Sequence, residues 1–565
     1  MKFDILFVTY NSSKWIRSLV ESIAASDYDL RKLTLIFHDN ASTDDSVERL
    51  LEAKAQYGAR FGGFIVDAGK KNVGFGAGNN LAAALGKNEY LFIFNVDTKM
   101  HTDTLKRLEE EILSSDPSVG MWELCQKPYE HPKYYDPLTG YTSWCSGACM
   151  IVRRQIFEEL GGFDKNIFMY AEDVDLSWNF RKPGWNLKYL WNVEIDHYSY
   201  DPENLLKPIQ FLYSYLNNWY LRAKYGTFRN FLGGFMIFQR IPRHGAYLPE
   251  GTSEEVRQTV LKEARKVFIP SCFKFFFTWL KNAARHGDFH PVFRWIDYEA
   301  QGTGAFTLYP PCDDGPLVSI VVRTMSRPEA LREALYSVRQ QTYKNVEAVV
   351  VEDGPADSEE MICREFPDLR INYVALGENQ GRCKAGNIAM SRAKGKYLNF
   401  LDDDDMLYPK HVETLVGFLE RENAWAAYAG AFESRIDVLS KKPYSYQVRE
   451  VQSVCTQDFT EEEMLDTNFI PIQCLMFRRE IFEELGGFDT TVETFEDWDL
   501  WTRYSMKYPF LRVDKTTSVF RTPYDPQVFE ARKAVIERTR PYLMEKFEHY
   551  KAGDLRAEIP GLERK

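Results

Sequence analysis

The sequence predicts an α/β protein built twice over, with two doubly wound domains in tandem and a helical connector between them. Three observations predict it. The phrase RRQIFEELGGFD (Arg153–Asp164) returns as RREIFEELGGFD (Arg478–Asp489), changed only at Gln155 and Glu480. Ahead of each copy stand three short apolar runs ending in polar groups: FDILFVTYN, LTLIFHDN and YLFIFNVD, then VSIVVRTMS, VEAVVVEDG and YLNFLDDDD. Segments with helical spacing separate the runs, among them SSKWIRSLVESIAAS and RPEALREALYSVRQQ.

Taken in order, the runs are rich in Val, Ile and Phe, the composition of strands buried on both faces of a parallel sheet. Strand and helix in alternation give a doubly wound sheet. Ligands of such sheets gather beyond the carboxyl ends of the strands, which is where Asp39, Asp97, Asp353 and Asp404 fall. The halves agree further in register. Asn72, Gly74 and Asn80 of NVGFGAGNN match Asn379, Gly381 and Asn387 of NQGRCKAGN. Glu172-Asp173 in AEDVDLSW match Glu496-Asp497 in FEDWDLW, and YDP occurs at Tyr200–Pro202 and Tyr524–Pro526. The repeated phrase reads as a short helix stopped by a glycine pair, delivering the chain to the acidic loop that follows. The expected domains are 1–205 and 316–525. A helical extension and connector spans 206–315, and a charged helical tail, 526–565, reads as a solvated cap or a partner contact. In the connector, FKFFFTWLK suits either a membrane interface or a helix packed between domains.

Composition narrows the function. A chain of 565 residues with 44% hydrophobic content has ample core. Its net charge of −12 argues against a nucleic-acid binder, which needs clustered Lys and Arg. The opening MKFDILFVTYN runs into a strand pattern without the regions of a secretory signal. No apolar run reaches the roughly 18 residues that span a bilayer. Nine cysteines without a CxxC pair read as reduced thiols. A cytoplasmic protein, with at most a peripheral contact at the inner face of the cell membrane, is expected.

The strand ends carry the chemistry. Acidic positions at LDDDD, and Asp97 of NVD, suit Mg2+ or Mn2+, which prefer oxygen ligands and bind through one or two carboxylates plus substrate phosphates. A nucleoside diphosphate substrate follows. Four adjacent carboxylates repel without a cation, although Asp405 alone also fits a helix cap. The later Glu-Asp pairs can supply a general base toward an acceptor hydroxyl or simply cap the helices they precede.

VTYN, HDNAS, NVGFGAGNN, NVD, the GGFD phrase and AEDVDLSW, in this order, resemble a bacterial family 2 glycosyltransferase of the GT-A fold, the first half being most similar to its rhamnosyltransferases. The second half, with VVVEDG, NQGRCKAGN, FLDDDD and FEDWDLW, resembles the general pattern of that family. The resemblance implies Thr9, Asp39, Asn72 and Asn80 at the first nucleotide-sugar site and Thr324, Asp353, Asn379 and Asn387 at the second. It implies Asp97, Asp402 and Asp404 at the metal, and Asp173 and Asp497 as bases of a single inverting displacement. His197, 24 residues after Asp173, matches a further metal ligand of many relatives, and reads otherwise as an ordinary histidine. The same offset from Asp497 reaches Arg521, which can clamp a diphosphate but not a metal. Asn95 stands where the leading acid of the DxD motif is expected.

The expected function is a bifunctional enzyme extending a bacterial surface polysaccharide, of O-antigen or capsule type, in two linkages. Its donors would be dTDP-rhamnose and a UDP-sugar, and its acceptor a glycan or a lipid-linked chain. The alternatives are one working site beside an acceptor-binding domain, and a nucleotidyltransferase. The latter usually has a Gly-rich basic loop after the first strand, which VTYNSSKW and VRTMSRPE lack.

Overall fold

The structure is a computed structural model. It describes residues 1–130, 133–198, 208–244, 252–283, 315–492 and 494–560, with 289, 291, 293 and 562. The first YDP, the 205/206 boundary and most of 284–314 lie outside the described residues. The chain forms two compact units: Met1–His131 with Thr139–Glu299, and Pro132–Leu138 with Ala300–Lys565.

The first unit contains β1 (Phe3–Thr9), β2 (Leu33–Asp39), β3 (Gly63–Ala68), β4 (Tyr90–Phe94), β5 (Thr98–Met100), β6 (Val119–Lys127), β7 (Cys149–Arg153) and β8 (Asn186–His197), in the sheet order β3-β2-β1-β4-β7-β6-β8-β5. The second contains β9 (Val318–Thr324), β10 (Val346–Glu352), β11 (Ile371–Ala375), β12 (Tyr397–Asp402), β13 (Met406–Leu407), β14 (Ala426–Lys441), β15 (Tyr444–Val454), β16 (Leu475–Arg478) and β17 (Phe510–Pro523). Its order, β11-β10-β9-β12-β16-β14-β17-β13, repeats the first element for element, and β15 pairs β14 in addition. The three apolar runs of each half are the parallel strands at the centre, β1, β2 and β4 and then β9, β10 and β12. Both faces of these strands are buried. Phe7, Phe37 and Phe92 pack on one side of the first sheet and Leu6, Ile36 and Ile93 on the other. Each such side chain taken out of water stabilises the fold by roughly 1.5–3 kcal/mol.

Strand pairing corrects one equivalence. Thr9 stands opposite Asp39, and Thr324 opposite Glu352. Glu352 therefore answers to Asp39, and Asp353 answers to Asn40. Side-chain bonding agrees: Val73 N–H donates to Asn40 Oδ1 (3.3 Å) as Gln380 N–H donates to Asp353 Oδ1 (2.6 Å).

The repeated phrase forms helices Arg154–Glu159 and Arg479–Leu485. Gly161 (φ 83°) and Gly486 (φ 76°) stop them in the left-handed region. The second glycine has another cause. A Cβ at Gly162 would lie 2.5 Å from Asn80 Oδ1, and one at Gly487 2.0 Å from Asn387 Oδ1.

The tail is not a solvated cap. Helix Pro526–Lys551 buries Leu543, Lys546, Phe547 and Tyr550 in the second unit. The second YDP begins it: Asp525 accepts from Gln527 N–H (2.8 Å) and Pro526 takes the first turn. Among the described residues no helix is long and apolar enough to cross a membrane.

Candidate functional site

In the first unit Thr9 and Asp39 are both buried at the ends of β1 and β2. Thr9 Oγ1 donates to Asp39 Oδ1 (2.8 Å), and Ser42 donates to Asp39 from its N–H (2.9 Å) and its hydroxyl (2.5 Å). At 1% exposure, Asp39 shapes the loop beneath the site. Asn72 is exposed beside it, accepting from Gly74 N–H (2.9 Å).

Asp97 follows β4 and faces His197, the last residue of β8, across 3.4 Å. The Nδ1 of His197 lies 2.7 Å from Gln126 Oε1, an acceptor, which makes Nδ1 the donor there and turns Nε2 toward Asp97. Asp173 opens helix Glu172–Arg181 and accepts from Gly147 N–H and Val174 N–H, both at 2.9 Å. Asn95 N–H donates to the adjoining Ala148 carbonyl (2.9 Å), which joins the β4 end to the Asp173 loop. Glu172 is buried, and its Oε2 has no hydrogen-bond partner among the described residues. Burial first, and then the Asp173 charge, push its carboxyl up to about 8.

The second unit places the same scaffold in a more charged setting. A cleft of about 580 Å3 is lined by Thr324, Asp353, Asn379, Asp402 and Asp404 among others. A neighbouring cleft of about 950 Å3 shares Asp402 and Asp404 and adds Asp497 and Arg521. The two carboxylate groups, far apart in sequence, therefore meet. Asp353 accepts from Gln380 and Gly381 N–H, and Asn379 from Gly381 N–H (3.0 Å).

Arginines pair with three of the four LDDDD carboxylates. Arg323 Nη2 donates to Asp402 Oδ1 and Oδ2 (2.7 and 3.0 Å), while its Nη1 donates to Glu496 (3.0 Å). Arg327 holds Asp403 and Asp404, and Thr324 Oγ1 donates to Asp403 (2.7 Å). The repulsion expected among four adjacent carboxylates is thus relieved at Asp402, Asp403 and Asp404 by these two side chains. At the matching positions of the first half stand Val8 and Ser12, and Asn95 and Val96 replace Asp402 and Asp403. Acid and base have been exchanged together.

Strand pairing puts Phe520 at the position of His197: Ile195 faces Met100 and Gln126 as Ser518 faces Leu407 and Ala431, each two residues earlier. The 24-residue offset in sequence therefore misses by one, and Arg521 follows one residue beyond that position. Its guanidinium lies 4.3 Å from the Tyr446 ring centre, donates to Tyr446 Oη (2.8 Å) and pairs with Glu333 (2.7 Å). Asp497 opens helix Glu496–Ser505 and accepts from Asn468 Nδ2 (3.0 Å) and Trp498 N–H (2.9 Å). Burial, then the Glu496 charge, raise the Asp497 carboxyl to about 6.

Asn80 and Asn387 each spend a whole amide on the repeated phrase. Asn80 donates to the Phe163 carbonyl (2.8 Å) and accepts from Phe163 N–H (2.9 Å); Asn387 does the same with Phe488 (2.9 and 2.7 Å). Asn387→Ala is expected to destabilise the protein by about 2 kcal/mol through two unpaired backbone groups, read as a lower urea midpoint at unchanged slope.

Sequence reasoning missed the residue that ties down each helix carrying a Glu-Asp pair. Lys224, on helix Pro208–Tyr225, holds Asp164 of the phrase (2.9 Å) and Asp175 of helix Glu172–Arg181 (2.7 Å). Lys546 holds Asp489 (2.5 Å) and Asp499 (2.9 Å) in the same way. Tyr225 Oη donates to Asp175 (2.9 Å) and Tyr550 Oη to Asp499 (2.7 Å). The signal was present as YLRAK at Tyr220–Lys224 and YLMEK at Tyr542–Lys546. The duplicated unit thus includes the helix that follows each sheet, and the phrase ends in Asp because a buried lysine meets it there.

A model of the family described as Glycosyl transferase family 2 matches residues 4–161 and 319–486, more than half of the chain. An uncharacterised glycosyltransferase of Rickettsia prowazekii is 31% identical over 199 residues, covering 34% of this chain and 58% of that relative. The uncharacterised glycosyltransferase YwdF of Bacillus subtilis is 28% identical over 203 residues, covering 36% of this chain and 73% of its own. Among solved structures, a mannosyltransferase of Pyrobaculum calidifontis in complex with GDP-Man and Mn2+ matches with TM-score 0.32 and 17% identity, over 51% of this chain and 76% of that one. Residues 1–349 of S. aureus TarS in complex with UDP-GlcNAc match with TM-score 0.34 and 16% identity, over 48% and 81%. At such scores the likeness adds nothing to the topology already described.

Proposed function

The chain belongs to glycosyl transferase family 2, and from that premise we propose a two-site glycosyltransferase that extends a bacterial surface polysaccharide in two linkages. The observation that carries this reading is the pairing, in each half, of an acid at the end of the fourth strand with a separate acid at a helix start. Asp404 and Asp497 line one cleft. Asp97 and Asp173 occupy the equivalent places of the first half. The different charge around a common scaffold, with Arg323, Arg327 and Arg382 where the first half has Val8, Ser12 and Phe75, supports different donors at the two sites.

In each site the nucleotide lies against the exposed asparagine, Asn72 or Asn379, with Thr9 and Asp39, or Thr324 and Asp353, supporting the loops beneath it. Asp173 or Asp497 takes the proton of an acceptor hydroxyl. The freed oxygen attacks the anomeric carbon as the bond to the diphosphate oxygen breaks, and the configuration inverts. Asn80 and Asn387 act as positioning residues through the GGFD loop. Arg521, stacked on Tyr446, borders the acceptor side of the second site.

Asp97 and His197 fit a divalent ion such as Mg2+ or Mn2+, because the His197 Nε2 and the Asp97 carboxylate face each other and two protein ligands suffice where a diphosphate supplies the rest. Asp404 and Asp402 are the counterparts in the second site, there already shared with Arg327 and Arg323. Such an ion, when bound, neutralises charge on the departing diphosphate. A base with a raised pKa predicts a pH profile. The Asp497 carboxyl is raised to about 6, so kcat/KM for the second linkage should fall about tenfold per pH unit below that value. A flat profile down to about pH 5 would remove Asp497 as the base.

The deciding experiment incubates the chain with a panel of nucleotide sugars, dTDP-rhamnose and UDP-sugars included, and a surface-glycan acceptor, followed by linkage analysis and assay of the released nucleotide. Two new linkages with nucleoside diphosphate release are expected. A single linkage would leave one half as an acceptor-binding domain, and pyrophosphate release would mean nucleotidyl transfer.

A further inference from the structure

The aromatic segment after the first sheet is not consumed by the chemistry above. Helices Pro208–Tyr225, Phe228–Phe238 and Glu254–Ala283 pack around Trp219, whose ring centre lies 4.9 Å from that of Phe275. Those contacts use one side of each helix. The other side of Glu254–Ala283 presents Ile269, Phe273, Phe277 and Leu280 at 59, 64, 61 and 53% exposure. Their spacing of four, four and three residues makes one stripe along the helix. Leu232 and Met236, at 42 and 52%, add exposed apolar surface on helix Phe228–Phe238. The two helices touch through Phe228 and Trp279, whose ring centres are 4.9 Å apart, so the apolar surface is continuous. Exposed apolar area of this kind marks an interaction site.

Charge selects the partner. In a chain of net charge −12, residues 228–244 and 264–283 contain seven Lys and Arg and no Asp or Glu, the acids of helix Glu254–Ala283 being confined to its first three turns, at Glu254, Glu255 and Glu263. Lys266, Lys274 and Lys281 are exposed along the aromatic stripe. A protein partner for so apolar a face would not require this one-sided charge. An anionic bilayer surface does: rings and aliphatic chains enter the headgroup boundary while lysines reach anionic lipid.

We propose that this face, on helices Phe228–Phe238 and Glu254–Ala283, docks the enzyme on the surface of an anionic lipid membrane without crossing it. The proposal is independent of which sugars are transferred. It is tested by sedimenting the full chain with vesicles of phosphatidylglycerol and phosphatidylcholine, and with vesicles of phosphatidylcholine alone. The expected result is binding to the anionic vesicles, weakened at least about tenfold in Phe273→Ser/Phe277→Ser and, separately, in Lys266→Glu/Lys281→Glu. All four residues are exposed, and thermal melting matched to the parent shows that the variants fold. Absence of the parent chain from the anionic pellet, or binding by the phenylalanine variant equal to the parent, overturns the proposal. So does a parent chain that self-associates without lipid and becomes monomeric in that variant, because the face then joins two copies.

Discussion

Asp497→Asn is expected to lower formation of the second linkage by about two to four powers of ten, the usual share of a general base, while the first linkage continues. Asp173→Asn should do the converse. The two substitutions are not equally clean, for a reason visible in the hydrogen bonds. Asp497 accepts from Trp498 N–H and from the side chain of Asn468. An asparagine at 497 keeps the first bond. It can satisfy the second if the Asn468 amide turns over, since Asn468 Oδ1 is buried without a partner among the described residues. Asp173 instead accepts from two backbone groups, Gly147 N–H and Val174 N–H. No backbone amide can turn over, so Asp173→Asn sets an NH2 against an N–H and adds about 1 kcal/mol of local cost. Melting curves beside linkage analysis separate that cost from the loss of the base. Simultaneous loss of both linkages in either variant, with folding intact, would mean that the halves do not hold separate active sites.

Much of the fold was legible in the sequence because the buried parallel strands are written as continuous apolar runs, and because the chain says everything twice. Duplication turned weak motifs into a register, and the family resemblance carried by those motifs implied that Asp404 and Asp497 share one site. It failed by one residue at the second strand, where HDN and EDG align by their aspartates but pair by Asp39 and Glu352. Two different acids at successive positions satisfy the same eye. The surroundings of LDDDD were less legible for a related reason. Repulsion among carboxylates is readable from a string, but relief by Arg323 and Arg327 requires knowing that the end of β9 lies beside the end of β12. The lysine locks were hidden by distance: Lys224 and Lys546 stand 60 and 57 residues after the aspartates they hold. Around the lysines themselves the shared signal is only YLxxK.

Lys546→Met should be the most destabilising single substitution in the second unit, by about 3–5 kcal/mol, the cost of removing one member of a buried ion pair. Lys546, Asp489 and Asp499 have fully buried side chains. Methionine fills the space of the lysine stem, so packing changes little. What remains is two carboxylates without a cation and a Tyr550 hydroxyl that satisfies only one of them. Asp489→Asn/Asp499→Asn in the Lys546→Met background removes both orphaned charges, and most of the stability should return. The sign of the pH dependence follows from the same picture. Without the lysine, the folded state raises the pKa of a buried carboxyl above its unfolded value, so the deficit is largest above that raised pKa and shrinks as acid protonates the group. Denaturant unfolding of the four chains at neutral and mildly acidic pH measures all of this. A loss below about 1 kcal/mol for Lys546→Met, or no recovery in the triple variant, would show that the lysine is not what holds the helix. The equivalent Lys224 and Asp164 are 19 and 13% exposed, so water shares their charge and Lys224→Met should cost less. Because Asp499 lies two residues beyond Asp497 on one helix, Lys546→Met should also slow the second linkage and spare the first, joining a buried salt bridge to the placement of a base.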